Sequence, residues 1–211
     1  MATAMTSIGL MTASERARLV IHPAWVRITH WINALAMLVM IGSGWEIYNA
    51  SPLFGFTFPG SITLGGWLAG ALLWHFAAMW VLAVNGLVYL VLGFLTGRFR
   101  RKLLPIRPSE VIADTKAALT FRLSHDDISV YNSVQRLLYV GVILAGVVIV
   151  LSGLSIWKPV QLQELTALFG GYDFARYVHF FAMAAIVGFL VIHVLLALIV
   201  PKSLKAMVTG R

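Results

Sequence analysis

The 211-residue chain contains no cysteine. Disulfides, iron–sulfur clusters, thiolate-ligated haem and covalently attached c-type haem are therefore all excluded. Charge is also scarce. Only 11% of residues are charged, and 8 acidic side chains stand against 16 lysines and arginines. With 60% hydrophobic residues and a mean hydropathy of +0.87, the composition is not that of a soluble domain. The net charge of +8 does not indicate nucleic acid, because the basic residues flank apolar runs rather than forming a soluble patch. Residues 1–20 are rich in Ala, Thr and Ser and carry Glu15, Arg16 and Arg18. They lack the apolar core and cleavage site of a secretory signal, and read as a cytoplasmic tail.

Apolar runs are what the chain has in abundance. A bilayer crossing needs about 20 such residues. Four runs qualify, at about 24–48, 64–96, 129–157 and 174–200. Residues 21–211 are thus predicted to form an all-α, four-helix transmembrane bundle. Pro23 suits a first helical turn, where a missing N–H costs nothing. Asp173 is a candidate N-cap for the fourth span. The second run is longer than a crossing requires, so it tilts or protrudes. With both termini in the cytoplasm, 14 of the 16 basic residues fall on the inner side, and only Lys158 and Arg176 fall outside. That asymmetry fixes the expected orientation. Trp45, Tyr48, Trp67, Trp157 and Tyr172 fit an aromatic belt, and Phe54, Phe56 and Phe58 place the first outer loop at the interface. The inner loop, 97–128, is expected to hold a short helix opening at Ser109. No internal repeat is evident.

The chemistry lies in the histidines. His179 and His193 are fourteen residues apart in a stretch, Tyr177 to Val200, with no Asp, Glu, Lys or Arg. Fourteen residues are about four helical turns, so both rings leave one face, roughly 21 Å apart along the axis. An ionisable side chain in hydrocarbon is costly and marks a functional site. Depth pairs His193 with His30 near the inner side, and His179 with His75 near the outer side. Two histidine pairs at two levels suggest two bis-histidine b-type haems, built from inward side chains on facing helices. Ordinary packing, a copper or zinc site, and a proton relay are the other readings. The two levels are too far apart to share one metal, and only Glu46 offers a carboxylate near a span.

His22 and His125 read as surface residues, with His22 the substitute ligand should His30 not serve. Gly42, Gly44, Gly141, Gly146 and Gly153 would let a porphyrin approach the backbone, or simply pack helices closely. Arg27, one turn before His30, would pair with a haem propionate or snorkel to the interface.

These residues bring a family into view. The chain resembles bacterial di-haem cytochrome b subunits of the cytochrome b561/Ni-hydrogenase type, which serve formate dehydrogenases, hydrogenases and thiosulfate reductases. Arg27–Ile28–Thr29–His30–Trp31 is similar to the family's first-helix motif. Tyr131–Asn132 with Gln135–Arg136 is similar to its third-helix start, and Ile156–Trp157–Lys158–Pro159 to that helix's end. The resemblance implies haem ligation by His30, His75, His179 and His193, and localisation in the bacterial inner membrane. It also implies a quinone site beside the inner haem, with Asn132, Gln135 and Arg136 as its residues. The long Arg-rich inner loop and aromatic outer loop look most like members serving a periplasmic molybdenum-cofactor oxidoreductase, an analogy at the level of the fold. The implied function is transmembrane electron transfer between quinone and a periplasmic redox protein. The rival is a stand-alone quinone reductase that oxidises superoxide or another small donor at the outer face.

Overall fold

A computed structural model describes residues 20–120 and 131–210. The predicted tail up to residue 19, the loop residues Arg122 and His125, and the predicted third-span start at Ser129 lie outside the described residues. Among the described residues, four long helices are apolar enough to cross a membrane: α1 (Ala24–Ala50), α2 (Leu68–Leu95), α5 (Ser133–Trp157) and α7 (Tyr172–Ile199). Shorter helices join or follow them: α3 (Arg98–Lys102), α4 (Pro108–Leu119), α6 (Gln163–Leu168) and α8 (Pro201–Thr209). There is no strand among the described residues.

The long helices pack as two hairpins, α1 with α2 and α5 with α7, and close backbone approaches between the hairpins are sparse. Small residues permit the close packing within each hairpin. Ala71, Ala175, Ser43, Ser152 and Ser155 are all fully buried. The outward faces carry exposed Leu35, Leu73, Val84, Leu87, Leu195 and Leu198, as lipid contact requires. Asn85 of α2 donates to the Thr29 carbonyl at 2.8 Å and to Asn33 Oδ1 at 2.7 Å, a polar clasp on α1 beside His30.

The second span begins at Leu68, later than hydropathy places it, and the reason is local. The chain leaving α1 folds back along that helix. Asn49 clamps Phe58 through both its amide atoms, at 2.9 and 2.8 Å, and Trp45 stacks on Phe58. Leu64 N–H then donates to the Gly42 carbonyl at 2.9 Å. Gly65 and Gly66 follow with φ of 118° and 73°, a conformation that glycine adopts without strain and that stops the helix running back to Leu64. Asp173 lies in the first turn of α7, and the capping position is Gly171. Arg176 reaches from α7 to Ser51, tying the two hairpins at this end.

At the opposite end, Asn132 and Gln135 form a reciprocal capping box at the start of α5. Asp114 of α4 accepts from Ser133 N–H at 2.7 Å, and Glu110 from the Ser133 hydroxyl at 3.0 Å. Two carboxylates at a helix N-terminus complement its partial positive charge. The amphipathic α8 follows α7 after Pro201, and Gly210 accepts from Ile21 N–H at 2.9 Å. Both described chain ends therefore meet at one end of the bundle, called here the terminal end.

Candidate functional site

Hydrophobic bundles normally fill their interiors with large side chains. Here Ile186, Ile41 and Val26 are buried, and among the described residues the largest side chains with essentially no exposure are Ser43, Ser152 and Ser155. The seam between the hairpins is faced by histidine. His30 of α1 meets His193 of α7, with ring centroids 5.9 Å apart, near the terminal end. His75 of α2 meets His179 of α7 at 6.5 Å, towards the far end. We term these the proximal and distal pairs.

The separations can be compared with a metal-bridged arrangement. A ring nitrogen lies about 1.1 Å from the imidazole centroid and binds a metal at about 2.0 Å, so two imidazoles on one ion stand roughly 6 Å apart. Both pairs match that spacing. Among the described residues, no group of three or more His, Cys, Asp or Glu gathers. Each pair would offer two donors to one metal ion. A porphyrin iron, which takes two further ligands, would fit that donor set.

The distal pair is held by hydroxyls. Ser43 Oγ lies 2.6 Å from the Val39 carbonyl and 3.0 Å from His75 Nδ1. Its single proton goes to the carbonyl, so toward the imidazole it accepts, and His75 carries its proton on Nδ1. Ser152 repeats this on α5, at 2.7 Å from the Val148 carbonyl and 3.1 Å from His179 Nδ1. In both rings Nε2 is left unprotonated, the state a metal requires, and the other nitrogen is oriented as in most histidine ligands. The glycine after each serine makes room for the ring. A Cβ on Gly44 would stand 3.4 Å from His75 Cε1, and one on Gly153 3.1 Å from His179 Cε1. Gly42 instead lies against Leu64, and Gly141 and Gly146 face open space.

The proximal pair is held by aromatic contact. Trp31 sets its ring edgewise on His30 at 5.2 Å, and Phe189 stacks on His193 at 5.6 Å and 11°. His22 does not join this pair. Its Nδ1 lies 3.2 Å from Arg98 Nη2. Burial, then the charges of Arg98 and Lys102, hold its pKa down to about 4, so at neutral pH it accepts from Arg98. Arg27 Nη1 donates to the Val208 carbonyl of α8 at 2.7 Å, and its Nε is buried with no partner. Asn132 and Gln135 are engaged in the capping box, and Arg136 donates to the Tyr131 and Pro105 carbonyls at 3.0 and 3.1 Å.

The two hairpins share a short pattern of residues. Ala71, His75, Phe76 and Ala78 on α2 recur as Ala175, His179, Phe180 and Ala182 on α7, and Ser43–Gly44 on α1 as Ser152–Gly153 on α5. The burial of both alanine pairs and the contact of each serine with its histidine repeat with them. The repeat is faint in the sequence, because few positions carry it, and it is clearest around His75 and His179.

The fold is that of a four-helix membrane protein. The chain belongs to the prokaryotic cytochrome b561 family, whose description it matches over residues 21–210. It is accordingly a multi-pass protein of the bacterial inner membrane, a haem-b-binding member of an electron-transport family. It is 51% identical over 190 residues, 90% of this chain and 96% of the relative, to an Azospira oryzae protein provisionally named as subunit YedZ1 of a protein-methionine-sulfoxide reductase.

Proposed function

We propose that this chain is a di-haem b-type cytochrome that carries electrons across the membrane between quinone and a periplasmic redox partner. One observation carries the reading: two histidine pairs, each spaced for one metal ion, stand at two levels between the hairpins. His30 and His193 would hold one haem, and His75 and His179 the other. When bound, each haem iron supplies a one-electron ferric/ferrous couple at a potential tuned by its surroundings. Ser43 and Ser152 keep the distal imidazoles in the ligating tautomer. Arg27 offers its unpartnered Nε to a propionate. Asn132, Gln135 and Arg136 fix the start of α5, where the quinone would be received.

Orientation follows from charge. Arg98, Arg100, Arg101, Lys102, Lys202 and Lys205 sit toward the terminal end, and Lys158 and Arg176 toward the other. The terminal end is therefore cytoplasmic and the distal pair faces the periplasm. The partner we favour is a periplasmic molybdenum-cofactor enzyme. The relative's name suggests that it reduces methionine sulfoxide, which consumes electrons and sets their direction outward from quinol.

Membranes containing the chain test this directly. After reduction of the b-type absorbance by a quinol analogue, added protein-bound methionine sulfoxide should reoxidise it when the partner is present. It should not do so in membranes from a strain lacking that partner. Reduction by superoxide alone, with quinol and sulfoxide both without effect, would favour the stand-alone reductase instead.

A further inference from the structure

The internal repeat extends to the terminal end, and there its two copies differ. His30 stands thirteen residues before Ser43, and Tyr139 thirteen before Ser152. His193 stands fourteen after His179, and Tyr89 fourteen after His75. The counterparts of the proximal histidines are therefore two tyrosines, on α5 and α2. They lie within about one helical turn of the proximal pair's depth. Contacts agree with this placement. Tyr139 packs at 6.3 Å on Phe189, the ring that stacks on His193, and Tyr131 packs on Tyr139 at 5.1 Å. Tyr89 packs on Phe99 at 5.5 Å and on Trp25 at 6.0 Å, at the terminal end of α2 and α1.

We propose that Tyr89 and Tyr139 receive the quinone headgroup, their phenol hydroxyls donating to its ring oxygens. This rests on the electron-carrying function proposed above and names the residues of its quinone site. The argument is one of shape and chemistry. Each hairpin carries one histidine and one tyrosine at this level, His30 and Tyr89 in the first and His193 and Tyr139 in the second. The histidine pair would hold a planar, metal-centred ring, and the repeat relates it to a tyrosine pair that offers protonated oxygens in place of the two nitrogens. A flat ring with a carbonyl oxygen at each of two opposite edges matches two such donors. Asn132, Gln135 and Arg136 then act at one remove. The amides cap α5, and Arg136 holds the Tyr131 carbonyl, so that together they position Tyr131 against Tyr139.

The test uses Tyr89→Phe, Tyr139→Phe and the double variant in the full chain. These changes remove only oxygen and keep the ring packing. Haem content, the reduced spectrum and reduction by dithionite should stay as in the unaltered protein. The KM for a quinol analogue should rise by about tenfold in the double variant, as expected for two lost hydrogen bonds. An unchanged KM, with Asn132→Ala or Gln135→Ala raising it instead, would move the headgroup elsewhere and leave the electron-carrying function intact. A shifted haem spectrum or potential at constant KM would assign the phenols to the haem pocket and overturn the proposal. Failure of the unaltered protein to accept electrons from any quinol would overturn the function itself.

Discussion

The His193→Ala protein is expected to retain one b-type haem of two and to lose quinol-driven electron transfer by more than about a hundredfold. His193 faces His30 across the seam and is stacked by Phe189, whose ring has no nitrogen to offer in its place. His22, two residues before the start of α1, is bonded to Arg98 through its Nδ1. The distal pair stands roughly 21 Å away along α7 and has its own serines and glycines, so its site should survive. Haem per chain, together with the rate of reduction by quinol, checks both halves. His179→Ala should give the converse loss, at the distal site. If either single substitution removed both haems, the two sites would not be independent. If neither removed any, the histidine assignment would fall.

Gly153→Leu should empty the distal site while leaving the proximal one filled. A Cβ at this position already comes within 3.1 Å of His179 Cε1 and 3.5 Å of Nδ1. Leucine adds three more carbons on the α5 side of a ring that cannot retreat. Ser152 holds its Nδ1, and His75 stands across the seam. Overpacking of this kind costs about 1–3 kcal/mol, or roughly a tenfold to hundredfold loss of occupancy where the strain falls on the ligand itself. Gly141→Leu is the matched control, because a Cβ there meets nothing within 4 Å. The reduced spectrum of the Gly153 variant should show a single haem, and that of the Gly141 variant two. Equal spectra would mean that the glycine serves helix packing alone.

The four crossings were legible because lipid-facing helices must be apolar over a fixed length, and composition alone carries that signal. The histidines were legible for the same reason: few residues are so conspicuous in hydrocarbon. The start of α2 was not, because Gly65, Gly66 and the Asn49 clamp on Phe58 act through backbone geometry, to which hydropathy is blind. Ser43 and Ser152 also escaped notice. A serine in a membrane helix looks like any small packing residue until the histidine it supports is placed beside it. Of the five glycines singled out from sequence, only Gly44 and Gly153 lie against histidine rings, since helical facing depends on the partner helix as well as on spacing. The phenols at Tyr89 and Tyr139 become visible only after the hairpins are aligned through their serine–histidine contacts.

The central claim is that each pair of imidazoles grips one haem. The most direct measurement is a pyridine haemochrome assay on the detergent-purified, folded protein, with a reduced-minus-oxidised spectrum. Two b-type haems per chain is the predicted result. A folded, colourless protein would contradict it and return the four histidines to packing.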